Sequence, residues 1–152
     1  MAGELSVRLA TEADRVAWSA LWQNWQRHMG GQVPADVTMR SWTNMVTPAS
    51  GIECLLAFDG DAALGFGIVS RTFFAWTGED ILYLQDLFVM PDARGRGAGS
   101  ALVEGIFAHA DAVNASQVFW MVDTDDPGLQ GFYDRRATRS PYLRYLRRPW
   151  SW

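Results

Sequence analysis

One stretch of the sequence, residues 82–101, restricts the fold more than any other. It starts with an apolar run that stops at Met90-Pro91, continues as R-G-R-G-A-G, and then takes on helical apolar spacing from Ala101. A strand that passes through a glycine-rich turn into a helix directs backbone N–H groups and a helix dipole at one point. Phosphate groups are the usual occupants of such a point. The stretch therefore predicts an anion-binding turn.

The composition is typical of one soluble domain, which we predict to span residues 1–152. Apolar residues make up 49% of the chain and charged residues 20%, as in ordinary globular proteins. The sequence has no apolar run near the roughly 20 residues of a membrane span, and no signal peptide pattern at its start. The single cysteine, Cys54, fits a reducing compartment. We expect a cytoplasmic protein without a membrane partner, and two isolated histidines do not predict a metal site.

The charges favour small ligands over nucleic acid. All 13 basic residues are arginines, and the absence of lysine excludes a phosphate loop built on a Gly-Lys pair. Residues 1–134 contain 17 acidic residues and 7 arginines (net −10), whereas residues 135–152 contain 6 arginines and no acid (net +6). An acidic body attracts small cations and repels nucleic acid. The terminal arginines alternate with Tyr142, Leu143 and Tyr145, which favours a solvated strand face.

Periodicity predicts an α+β fold with a meander of antiparallel strands before the glycine-rich turn. Asp59-Gly60 between two apolar runs indicates a hairpin, and Asp126-Pro127 indicates a helix start with Asp126 as N-cap. The predicted order is strand 5–9, a helix from Thr11 to Met29, helix 34–46, strands 52–58, 62–74 and 81–89, helix 99–112, strand 117–122, a helix from Pro127 and a last strand over 138–147.

Three tryptophans of the first helix, Trp18, Trp22 and Trp25, fall on one stripe. This stripe either faces the core or lets one or two of its rings line a pocket for a cationic amine. His28 lies in the last helical turn, where favourable interaction with the helix dipole is a sufficient role. The chain has eight Trp and eight Phe, and this aromatic excess is compatible with a homodimer interface.

The segment 89–99, V-M-P-D-A-R-G-R-G-A-G, resembles the acetyl-CoA signature of the GNAT N-acetyltransferase superfamily, V-x-P-x-x-R-G-x-G-x-G/A. The order of predicted elements is also similar to that family. The resemblance implies a mixed, mostly antiparallel central sheet flanked by about four helices, and acetyl-CoA as cofactor. It implies that the pantetheine arm follows Leu87, Phe88 and Val89, and that the pyrophosphate contacts the turn and the start of the next helix: Arg94, Gly95, Arg96, Gly97, Ala98, Gly99 and Ser100.

A second family motif, N-x-x-A-x-x-x-Y, is represented by Asp126, Leu129 and Tyr133. The resemblance implies a cofactor contact for Asp126, although a carboxylate lacks the donor of asparagine. The phrase Y-L-Q-D-L-F-V is similar to the branch that acetylates polyamines, diamines and other small amines, which usually has Glu in place of Gln85. Together these motifs predict an acetyl-CoA-dependent N-acetyltransferase for a small cationic amine, with Trp22, Trp25 and Gln85 near the acceptor.

Acetyl transfer requires a neutral amine and a proton for the departing thiolate. Tyr133, with an ordinary phenol pKa of roughly 10, is suited to donate that proton, and a backbone N–H near Phe88 or Val89 to polarise the thioester carbonyl. Gln85 cannot accept a proton. In a regular strand, Asp86 faces the side opposite to Gln85. The amine's proton is therefore taken by water near Asp86 or Asp123, or by bulk solvent. In the last case Asp86 has a structural role.

Two other readings stay open at this point. The acceptor is alternatively a protein N-terminus, a lysine side chain or an aminoglycoside-type drug. The replacements at Gln85 and Asp126 are also compatible with a CoA-binding module that has lost catalysis, although the retained Tyr133 argues against it.

Overall fold

The computed structural model describes residues 4–148. The chain divides into two compact units, one ending at Phe119 and one beginning at Trp120. The first unit contains β1 (Leu5–Leu9), α1 (Arg15–Met29), α2 (Ala35–Val46), β2 (Ile52–Asp59), β3 (Ala62–Phe74), β4 (Glu79–Val89), α3 (Ala98–Ala112) and β5 (Gln117–Phe119). The second contains α4 (Pro127–Asp134). Short 3-10 turns, Glu12–Asp14 and Pro91–Ala93, precede α1 and follow β4.

The five strands form one sheet in the order of the sequence, β1-β2-β3-β4-β5. The first three pairings are antiparallel and β4 pairs with β5 in parallel. A two-residue turn at Gly60-Asp61, with Gly60 at a φ of 58°, joins β2 to β3, so the predicted hairpin is confirmed. With four helices among residues 4–148, the chain has the predicted α+β architecture.

Helices cover both faces of this sheet. Phe88 belongs to a buried cluster with Trp18 of α1 and Trp42 of α2. Its neighbour Val89 belongs to a second cluster with Leu102 of α3. Because adjacent strand residues point to opposite faces, α1 and α2 pack on one side of the sheet and α3 on the other.

A β-bulge interrupts β4 at Gln85. Asp86 pairs with Ile68, whereas Leu84 pairs with the next residue, Val69, so Gln85 has no partner on β3. A bulge shifts the alternation of side chains by one residue. Asp86 therefore shares the face of Phe88, under α1, instead of following Leu84 to the α3 side. The regular alternation expected for Asp86 does not hold in this strand.

Two predicted strands differ from the structure. The strand after α3 ends at Phe119, three residues earlier than predicted. The predicted last strand over 138–147 is wrong, because no residue of that segment lies in a strand. Its polar groups bond locally instead: Arg139 binds Asp134, and the Tyr142 N–H donates to Ser140 Oγ. Alternating sequence cannot form a strand unless a sheet edge pairs with it.

Among residues 4–148, no helix has both the length and the apolar character needed to cross a membrane. In the same range, no three His, Cys, Asp or Glu side chains are grouped so that they could hold a metal ion. Cys54 is fully buried in β2, and burial raises the pKa of its thiol.

Candidate active site

The glycine-rich turn is built on two left-handed residues. Gly95 has a φ of 74° and Gly97 a φ of 87°, a conformation that costs an L-residue with a side chain about 1–2 kcal/mol. A Cβ on Gly95 would meet nothing within 4 Å. The backbone conformation, and not a lack of space, therefore requires glycine here.

The turn ends in a helix start that no side chain caps. Gly97 is the N-cap of α3, a helix of 15 residues, and makes no side-chain cap bond. The first N–H groups of a helix have no acceptor inside it, and the helix dipole is positive at this end. The geometry therefore fits an anionic group such as a pyrophosphate, bound by backbone N–H groups.

The two arginines of the turn are already bonded within the chain. Arg94 donates from Nε to the Val89 carbonyl at 3.1 Å, and its guanidinium lies 5.9 Å from the centroid of the Phe88 ring. Arg96 forms an ion pair with Asp59 at the end of β2. These contacts fix the turn to β4 and to the β2–β3 hairpin.

The end of β4 presents unpaired backbone groups beside this turn. Among the described residues, β5 pairs with β4 only along 81–83, so 84–89 has a strand neighbour on the β3 side alone. Met90 N donates to Leu64 O on β3 at 2.9 Å. Because antiparallel strands alternate the direction of their N–H groups, those of Leu87 and Val89 point to the open edge and that of Phe88 points to β3. Of the two predicted carbonyl donors, only Val89 has this orientation.

Asp86 lies next to that edge and under α1. The indole N–H of Trp25 lies near its carboxylate, and the Trp25 ring is 5.6 Å from that of Phe88. Burial raises the pKa of Asp86, and the Trp25 N–H acts in the opposite direction. The structure thus brings two of the predicted site residues, Asp86 and Trp25, close together.

His28 belongs to the same group of side chains. Its ring stacks on Trp25 with centroids 5.7 Å apart and 22° between planes, and lies 6.1 Å from Phe88. The sequence interpretation limited His28 to the helix end. Its spacing of three residues from Trp25, which places both on one helix face, is the signal that would have linked them.

Trp22 and Gln85 lie outside this group. Trp22 stacks on Trp18 at 5.3 Å and donates from Nε1 to Thr38 Oγ1 of α2 at 3.2 Å. It lines an open cleft of about 800 Å³ between α1 and α2, in which Arg27 is the charged residue. Gln85 is exposed at the bulge.

In the second unit, Asp126 caps α4 as predicted, accepting the Leu129 N–H at 2.9 Å. Tyr133 of the same helix is half-buried, with its ring centroid 5.0 Å from those of Trp120 and Phe132. Burial raises the pKa of Tyr133, and the charge of Arg136 partly opposes this. The phenol is therefore protonated at neutral pH, as a proton donor must be.

The sequence profile of the Acetyltransferase (GNAT) family matches residues 15–137. This match covers most of the chain, and the chain belongs to that family. It is accordingly an acetyl-CoA-dependent acyltransferase, and the alternative of a non-catalytic CoA-binding module is set aside.

Named relatives agree with this assignment. The chain is 27% identical over 143 residues to the D-amino-acid N-acetyltransferase HPA3 of Saccharomyces cerevisiae, covering 93% of this chain and 89% of the relative. It is 34% identical to the thialysine N-epsilon-acetyltransferase of Mus musculus, over 47 residues that represent 31% of this chain and 27% of the relative.

Solved structures show the same fold at low identity. A probable acetyltransferase superposes with a TM-score of 0.83 at 16% identity, covering 96% of this chain and 98% of the other. An aminoglycoside acetyltransferase from an uncultured soil metagenomic sample gives a TM-score of 0.81 at 13% identity, with 97% of each chain covered. The predicted fold family is confirmed.

Proposed function

We propose that this protein transfers the acetyl group of acetyl-CoA to the primary amine of a small molecule. The observation that carries the proposal is the grouping of three features at the end of β4: the anion-binding turn, the outward N–H groups of Leu87 and Val89, and the Asp86–Trp25 pair. The turn suits a pyrophosphate, and the outward N–H groups suit a thioester carbonyl. The Asp86–Trp25 pair suits an ammonium group. The GNAT match spans both compact units, which supports treating residues 1–152 as one catalytic domain.

The cofactor interactions follow from the turn and the strand edge. Backbone N–H groups between Gly95 and Ser100 would hold the pyrophosphate, and the open edge of β4 would accept the pantetheine amides. Acetyl-CoA supplies the activated acetyl group as a thioester. The chain's own contribution is to hold that thioester against Leu87 and Val89, where a fixed N–H stabilises charge on the carbonyl oxygen.

The amine requires proton transfer at both ends of the reaction. Asp86 attracts the acceptor's ammonium group, which must lose a proton before its nitrogen attacks the carbonyl carbon. As the C–S bond breaks, the thiolate takes a proton, and Tyr133 is the donor at the position that the family motif gives it. Its raised pKa keeps this proton available at neutral pH.

Two acceptor classes are compatible with these side chains. A small cationic amine is favoured by Asp86 and by the acidic residues that dominate the chain before residue 135. An amino acid is the second candidate, favoured by the relative HPA3, a D-amino-acid N-acetyltransferase. The cleft between α1 and α2, with Arg27 and without a carboxylate in its lining, suits the acid group of such a substrate.

Release of free CoA thiol from acetyl-CoA tests the proposal directly. Putrescine, spermidine, D-alanine and D-lysine serve as small amines, with an aminoglycoside and a peptide N-terminus as comparisons. We expect one of the small amines to give the highest kcat/KM. If no amine increases the release of CoA thiol, the proposed function is refuted.

Tyr133→Phe tests the proposed acid. Loss of the proton donor should lower kcat by about 10²-fold while the KM for acetyl-CoA stays near that of the wild type. Tyr83→Phe is the matched control, because Tyr83 stacks on Phe119 with centroids 5.0 Å apart and has no proposed chemical role. If both variants keep full activity, Tyr133 is not the acid.

A further inference from the structure

We infer that His28 is the catalytic base that takes the proton from the acceptor amine, an inference that rests on the proposed function. Gln85 cannot accept a proton, and the proposed function assigns Asp86 to attracting the acceptor's ammonium group. His28 is the other titratable side chain whose ring contacts this group. The inference gives this chain a base on α1 instead of on the central strand.

The geometry holds the imidazole firmly while leaving its nitrogens available. Stacking on Trp25 and contact with Phe88 fix the ring plane, and Trp25 itself packs against Phe88. Among residues 4–148, no hydrogen bond or ion pair engages the ring nitrogens of His28. The side chain is exposed at the end of α1, so both an incoming amine and bulk water can reach it.

The proton balance is complete without another reactant. The ammonium group of the acceptor passes one proton to the free imidazole nitrogen, which gives a neutral amine and an imidazolium. The amine nitrogen then bonds to the carbonyl carbon, the C–S bond breaks, and Tyr133 gives its proton to sulfur. The second amine proton passes to solvent, and solvent returns a proton to the Tyr133 phenolate. The exposed imidazolium returns its proton to solvent. Imidazole is the side chain whose protonation changes between about pH 5 and 8.

Charged side chains stand on the segments near His28. Asp86 is on β4, close to Trp25. Arg94, on the turn after β4, lies over Phe88, and Arg27 precedes His28 on α1. Replacing Asp86 therefore tests the binding of the amine separately from the role of the imidazole.

Unlike the ring of His28, the ring of His109 has a hydrogen-bond partner among the described residues. His109 of α3 bonds to Glu53 at 2.7 Å, and Arg71 binds the same carboxylate. This network links α3 to β2 and β3. His109 is therefore committed to a structural contact, and His109→Gln is a control for the general effect of replacing a histidine.

The experiment compares pH profiles of kcat/KM for the wild type, His28→Gln, His28→Ala, Asp86→Asn and His109→Gln, with acetyl-CoA and the fastest amine of the panel above. We expect His28→Gln to lose about 10²-fold at neutral pH and to lose the acidic limb of the profile. Free imidazole should partly restore His28→Ala. His109→Gln should keep the wild-type profile, and Asp86→Asn should mainly raise the KM for the amine.

The outcomes separate the inference from the function on which it rests. If the wild type releases no CoA with any amine, both are overturned. If the wild type is active and His28→Gln matches it across the pH range, only the inference is overturned. If Asp86→Asn removes the acidic limb while His28→Gln keeps it, Asp86 is the base and His28 is not.

Discussion

The carboxylate of Asp86, which follows the bulge of β4, lies near the indole N–H of Trp25 on α1. This proximity exists because Gln85 is unpaired in the sheet; in a regular strand Asp86 would face α3. The bulge therefore places an acid beside the outward N–H groups of Leu87 and Val89. One irregular residue determines which side chain faces the proposed acceptor.

Asp86→Asn should stabilise the protein while impairing catalysis. Burial raises the pKa of Asp86, so its ionised form destabilises the fold, and this penalty grows as the pH rises through the folded-state pKa. Asparagine keeps an acceptor for Trp25 without the charge. We expect the free energy of unfolding in urea to rise by about 0.5–1 kcal/mol at pH 7 and to match the wild type near pH 3. Asp61→Asn, in the exposed β2–β3 turn, is the control, and a loss of stability in Asp86→Asn at pH 7 would contradict the prediction.

Asp14→Asn should destabilise the start of α1. Two hydrogen bonds from Arg8, at 2.7 and 2.8 Å, hold the pKa of buried Asp14 well below its usual range, and the Thr11 N–H adds a third at 2.8 Å. We expect a loss of about 2 kcal/mol at pH 7. Because the lowered pKa stabilises the fold only above the unfolded-state value, the difference from wild type should shrink as the pH falls below about 4. Urea titrations at several pH values measure this.

The control for that experiment is Glu12→Gln, in the same 3-10 turn but exposed. Its effect should stay below about 0.5 kcal/mol. If both variants lose the same free energy of unfolding, the cause is the removal of a negative charge in general and not the loss of the Arg8–Asp14 pair.

Gly97→Ala should weaken CoA binding beyond its cost to stability. A side chain at a φ of 87° costs about 1–2 kcal/mol, or roughly 2–4 °C in Tm for each kcal/mol. Gly78→Ala is a matched control, since Gly78 has a φ of 71° with open space around it, in the β3–β4 turn. Calorimetric titration with CoA should show about tenfold weaker binding for Gly97→Ala and unchanged binding for Gly78→Ala. Equal affinities in the two variants would argue against the turn as the pyrophosphate site.

Cys54 should not react with thiol reagents in the native protein. Its side chain is fully buried and burial raises its pKa, so little thiolate forms. We expect labelling of one thiol per chain in concentrated denaturant and of almost none without it. Rapid native labelling would contradict the buried position of β2. The same property lets a thiol assay report CoA release with little background.

The fold was predictable where local sequence decides it. The Asp-Gly signal marks the hairpin, Asp126-Pro127 marks a helix start, and the spacing from Val89 to Gly99 marks a strand, turn and helix. These features depend on the backbone preferences of a few adjacent residues. Dimerisation and a cytoplasmic location stay predictions.

Features that depend on contacts between residues far apart in the chain could not be predicted in this way. The bulge at Gln85 reflects the register of β3 against β4, and the proximity of Asp86 to Trp25 involves two elements about 60 residues apart. The segment 138–147 alternates like a strand but forms none, because alternation favours pairing without supplying a partner. Local sequence patterns were therefore sufficient to predict the fold family and the glycine-rich turn between β4 and α3. The side chains around the proposed acceptor, His28 among them, were decided by packing.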